Sequence, residues 1–116
     1  MSKLEDRILI NKVVDNSKLI DADKIVYNSV YFRYWGVPVK GIPKEVENYE
    51  FILRTINFDR NLNEDSIPEN GVTKFGYGAQ FCFAFTSIPK IYFRSFRWNE
   101  QKYGNWQEIT ATELLV

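Results

Sequence analysis

Apolar and polar positions alternate with a period of two over most of this chain. The segment "YEFILRTINF", Tyr49–Phe58, sets Tyr49, Phe51, Leu53 and Thr55 on one side. In "AQFCFAF", Ala79–Phe85, one side carries Phe81, Phe83 and Phe85, and the other Gln80, Cys82 and Ala84. "KIYFRSFR", Lys90–Arg97, alternates Tyr92, Arg94 and Phe96 against Ile91, Phe93 and Ser95, and a short "NWQEI" follows. Upstream, "IVYNSVYFRYW", Ile25–Trp35, is rich in β-branched and aromatic residues. Side chains of a β-strand point alternately to its two faces, so this pattern predicts strands, and short reversals between them predict antiparallel pairing.

The separators agree. "WGVPVKGIP", Trp35–Pro43, opposes both helix and central strand because proline lacks the amide donor. "DRNLNEDSIPENG", Asp59–Gly71, is a polar loop, and "TSIPK", Thr86–Lys90, is a tight reversal. The expected fold is therefore mainly β: a single small, twisted antiparallel sheet with long loops. Residues 1–20 form an extended or short helical N-terminal lead-in, a candidate oligomerisation segment in which Leu4 and Ile8 could share a helix face. Residues 21–110 form the β domain, and 111–116 a tail.

Composition narrows the chemistry. Lys plus Arg balances Asp plus Glu at 15 each, so no basic excess drives counterion release from nucleic acid. No stretch approaches the roughly 20 apolar residues that span a bilayer, which argues against membrane insertion. The absence of histidine removes the usual general base and the commonest metal ligand. Cys82, the one cysteine, forms no internal disulfide; between Phe81 and Phe83 it reads as a small buried hydrophobe.

Other motifs have competing readings. Asp59, Asn61 and Asn63 open like a calcium loop, but Glu64 stands where the sharp turn needs glycine, and Asn70 where a bidentate glutamate is needed. Asp21 and Asp23 read as turn formers at a strand entrance. "FGYGA", Phe75–Ala79, has no following helix to bind phosphate. Carboxylate pairs such as Glu45/Glu47 and Glu64/Asp65 lie in polar loops without apolar packing to raise a pKa. No catalytic residues, metal ligands or cofactor site emerge, and the expectation is a protein that is not an enzyme.

The order of segments resembles the pyocin knob, a small β domain of phage tail fibres and related receptor-binding proteins. "DADKIVYNSVYF", Asp21–Phe32, is similar to its Asp/Asn-rich entry, with Tyr31 at the hydrophobic-Tyr position. "VKGIPKEVENYEFILRTI", Val39–Ile56, is similar to its proline-bearing loop and first long strand. Gln80 stands as in the Gln-x-aromatic strand, and Tyr92, Arg94 and Phe96 as in the Arg-bearing strand. Trp106 in "YGNWQEI" matches the Trp-x-x-Trp end, where Tyr103 replaces the first tryptophan. Ser29 stands where glycine is usual, and "RWNEQK", Arg97–Lys102, is longer than the customary turn.

The resemblance implies a non-enzymatic virion module of a tail fibre or receptor-binding protein, assembled in the host cytoplasm beside other phage structural subunits. Such modules are usually homotrimers near the host-facing end of the fibre; some act as connectors or contact host-surface glycan, and others support the receptor-binding tip. Two alternatives stand beside it: a stand-alone carbohydrate-binding module, and a small intracellular protein-binding inhibitor. Trp35, Trp98, Asn99, Gln101 and Tyr103, on expected loops, are the glycan-contact candidates. Against that, Trp98 and Tyr103 could simply cap the core or fill a subunit interface. Arg94 and Arg97 are expected to cover aromatic faces and bond carboxylates, with Trp106 and Ile109 closing the last strand onto the core.

Overall fold

The computed structural model describes residues 10–14, 20–68, 75–86 and 90–109. Nine strands occur among these residues: β1 Ile10–Val14, β2 Ile20–Asp21, β3 Ser29–Arg33, β4 Val39–Lys40 and β5 Phe51–Asn57, then β6 Gly78–Ala84, β7 Lys90–Arg97, β8 Lys102–Tyr103 and β9 Gln107–Ile109. The main sheet runs β1-β3-β5-β6-β7-β8, and β9 also pairs with β7. Every pairing from β3 onward is antiparallel, while β1 joins β3 in parallel. A separate two-stranded pair, also parallel, links β2 to β4.

Ile10–Val14 is thus extended; the rest of the expected lead-in through Leu19, with Leu4 and Ile8, lies outside the described residues, as do the tail at 111–116 and the centre of the Thr86–Lys90 reversal.

One face of the sheet is covered. In register across it run Tyr31, Leu53, Cys82 and Tyr92, then Ser29, Thr55, Gln80 and Arg94, then Asn57, Gly78, Phe96 and Tyr103. All of these except the half-buried Gly78 are buried. Onto this face fold the loops carrying Ala22, Ile25, Val26, Tyr27, Val37 and Val46, including two single-turn 3-10 helices, Ala22–Lys24 and Lys44–Val46. Asp21 caps the first: its carboxylate accepts the Asp23 N–H at 3.0 Å, so Asp21 is the turn former the sequence suggested.

The opposite face differs in kind. It carries Val30, Phe32, Ile52, Ile56, Phe81, Phe83, Ile91, Phe93 and Ile109, all half-buried or exposed, with Arg54, Ser95, Arg97 and Gln107 among them. Phe81 and Phe83 stack, ring centroids 6.3 Å apart. The side of β6 turned to the core is therefore Gln80–Cys82–Ala84 and not the phenylalanine side. Ile109 is exposed on this outer face, correcting the expectation that it closes onto the core; Trp106 does pack there.

Candidate functional site

Buried polar groups organise the covered face around Gln80. Its Nε2 donates to the Ala22 carbonyl at 2.9 Å, the Ile25 carbonyl at 3.2 Å and Thr55 Oγ1 at 3.1 Å. Its Oε1 accepts from Arg94 Nε at 2.9 Å and Nη2 at 2.7 Å. Arg94 Nη1 then donates to Asp23 Oδ1 at 2.7 Å. The chain of bonds ties the loop at 22–25 to the middle of the sheet. Tyr103 OH adds a second bond to the Ile25 carbonyl at 2.6 Å.

Arg94 is 5% exposed, whereas the Asp23 side chain is 58% exposed. The guanidinium carbon lies 4.5 Å from the Tyr103 ring centre and 4.3 Å from that of Trp106, close enough for both rings to stabilise the cation. Burial pulls the Arg94 pKa below its ordinary value, and the bond to Asp23 works against that shift. The expectation that arginines here cover aromatic faces and bond carboxylates thus holds for Arg94 in geometry.

Arg94 reaches the surface in a cleft of about 430 Å³, lined by Asp23, Gly41, Ile42, Lys102, Asn105 and Trp106, together with Tyr103 and Gly104. Gly41 shapes its wall. It has a φ of +76°, and a Cβ there would lie 2.9 Å from the Asp23 backbone nitrogen. Trp106 Nε1 donates to the Gly41 carbonyl at 2.8 Å, fixing the indole against the same loop.

The five contact candidates are not brought together. Trp35 is 70% exposed in the loop after β3, at one end of the sheet. Trp98, 41% exposed, and Asn99, also exposed, lie after β7 at the other end, where Trp98 meets Tyr77 edge-on at 5.9 Å. Gln101 and Tyr103 are buried, which corrects their reading as exposed contact residues. Gln101, at φ +55°, spends its amide inside the chain: Oε1 accepts the Phe75 N–H at 3.3 Å and Nε2 donates to the Trp98 carbonyl at 2.6 Å. A polar residue at a turn normally faces water, but here the unusual backbone aims it inward. Tyr103 is held by Ile25 and by Phe96, 5.0 Å away edge-on, and offers the cleft only part of its wall.

The six signature residues, Tyr31, Gln80, Tyr92, Arg94, Phe96 and Trp106, all belong to the covered side. What sequence reasoning missed is Asp23 with Asn105 and Gly41. They come from three separated loops, and only the fold sets them around Arg94.

Elsewhere, burial pushes the Cys82 thiol up to about 12, so it is a poor nucleophile. The side chains of Asp59 and Asn63 accept backbone N–H groups of Asn61 and Asp65, forming turns. Among the described residues no group of three His, Cys, Asp or Glu is placed to hold a metal, and no helix is long and apolar enough to cross a membrane.

No family model, curated protein or solved structure matches this chain.

Proposed function

We propose that this chain is a non-enzymatic adhesion and assembly module of a phage tail fibre or receptor-binding protein, working as a homo-oligomer, with a trimer favoured. The setting rests on the order of motifs from Asp21 to Ile109. The assembly role rests on one observation: the outer sheet face is mostly apolar from Phe32 to Ile109, interrupted by Arg54 at its centre and by Ser95, Arg97 and Gln107 toward the β7 side. Four strands of about seven residues project to roughly 400 Å², comparable to the largest apolar patch of a soluble protein, which is often functional.

Other copies of this chain are the occupants that fit. The net charge is zero, so copies do not repel at long range, and closed symmetry buries the same face in each subunit. Several weak host contacts then add up through multivalency.

Light scattering after size exclusion tests this reading. A discrete oligomer is expected, converted to monomer by Phe83→Glu without loss of the β circular-dichroism signal. A wild-type chain that stays strictly monomeric at high concentration overturns it. Finding the protein absent from purified phage particles overturns the virion setting.

A further inference from the structure

We infer that the cleft beside Arg94 is a subsite for one neutral sugar ring bearing vicinal hydroxyls. The inference rests on the adhesion reading above, and gives it a contact point that lies away from the exposed tryptophans.

Arg94 has unspent donors. A guanidinium has five N–H groups. Three are used, by Gln80 and Asp23. The other two, one on each terminal nitrogen, have no acceptor among the described residues, and Arg94 lines the cleft. Asp23 uses Oδ1 for Arg94 and keeps its second oxygen on a half-exposed carboxylate at the cleft wall. An acceptor and fixed donors are therefore held side by side, and neither moves freely: Arg94 is buried between partners, and Asp23 is braced by the turn that Asp21 caps.

Charge decides the class of ligand. The Arg94 cation already faces Asp23 at 2.7 Å, so a free anion gains little and meets a carboxylate. Lys102 at the rim stands 4.0 Å from Glu100. A neutral group that both gives and takes hydrogen bonds suits this pair, and adjacent hydroxyls do so at the spacing of one carboxylate beside one guanidinium. Asn105 adds an exposed amide with the same dual character. Trp106, Ile42 and Tyr103 supply apolar wall for the C–H face of the ring. The volume of about 430 Å³ falls in the range of small-ligand sites.

The test uses the full chain labelled with nitrogen-15, whose three indole N–H signals report separately on Trp35, Trp98 and Trp106. Methyl α-mannopyranoside and methyl β-galactopyranoside are titrated singly to about 50 mM, with glucuronate and inorganic phosphate as anionic probes. Saturable movement of the Trp106 signal by a neutral glycoside is expected, with a Kd on the order of 1 mM for so small a ligand. Asp23→Asn keeps an oxygen for Arg94 but replaces the free acceptor with a donor, and should weaken binding about tenfold. Asn105→Ala, at an exposed position that leaves the fold intact, should weaken it several-fold and serves if Asp23→Asn is unstable.

No shift with either glycoside overturns the inference, as does movement only with glucuronate or phosphate. Movement of Trp35 or Trp98 alone also overturns it, while leaving glycan adhesion standing. Oligomeric state is measured on the same samples, so loss of the sugar site and loss of the assembly reading register independently.

Discussion

At the scale of single residues, the fold depends on polar groups placed where apolar ones would be easier. Gln80 and Arg94 are both buried, and each satisfies the other. Removing one leaves buried hydrogen-bonding groups of the other short of a partner, which costs more than the bonds themselves are worth. Gln80→Leu should therefore destabilise the protein by about 3 kcal/mol. The double variant Gln80→Leu/Arg94→Met, which removes the buried cation and leaves only the exposed Asp23 carboxylate, should cost no more than the single one. Urea denaturation of the four proteins measures the coupling, and simple additivity would refute the network as described. Gly41→Ala should cost about 1–3 kcal/mol, because its Cβ meets Asp23 and its φ is unfavourable for alanine.

At the scale of elements, alternation located β5, β6 and β7, but not which side of β6 faces the core. Phe81 and Phe83 are more hydrophobic than Gln80, Cys82 and Ala84, yet the smaller set is buried. The reason lies in the neighbours: Tyr31, Leu53 and Tyr92 fill the space beside Cys82, and loop residues such as Ala22 and Val46 occupy the layer above. No window on β6 alone contains that information. The cleft was illegible for a similar reason, since Asp23, Gly41 and Asn105 are far apart in sequence and each reads as ordinary turn material. Arg94 was legible because its aromatic setting in a neutral chain predicted cation–aromatic packing, and Trp106 was legible as a residue closing the last strand onto the core. Close strand approach gives a further check: a Cβ on Gly78 would lie 2.8 Å from the Ile56 carbonyl oxygen. Gly78→Ala should lower stability by about 1–3 kcal/mol as β5 and β6 separate at that end, with a lower Tm in a thermal melt.

At the scale of the whole molecule, stability should fall on the alkaline side. Burial raises Cys82 from 9.0 to about 12, and raises the Tyr27 and Tyr103 phenols well above their usual 10.0, Tyr27 also through its bond to Tyr31. Each group holds its proton more tightly folded than unfolded. Its stabilising contribution is complete below the unfolded pKa and is lost as pH rises toward the folded one. Each removes about 1.4 kcal/mol per pH unit across that window. Tm should be flat in this respect from pH 7 to about 9 and then drop steeply. Cys82→Ala should soften the first part of that decline, and an unchanged slope would remove Cys82 from the account.

The parallel pairing of β1 with β3 bears on how the sheet comes together. From β5 to β7 each strand pairs with the next in sequence, the economical way to close a sheet. β1 instead lies parallel to β3, reached across β2 and the turn at Ala22–Lys24, and forms one edge of the sheet. Without β1, the backbone of β3 would offer an unpaired edge, the kind of edge on which a neighbouring chain can add a strand. β1 thus takes the β3 edge out of reach of a neighbouring strand.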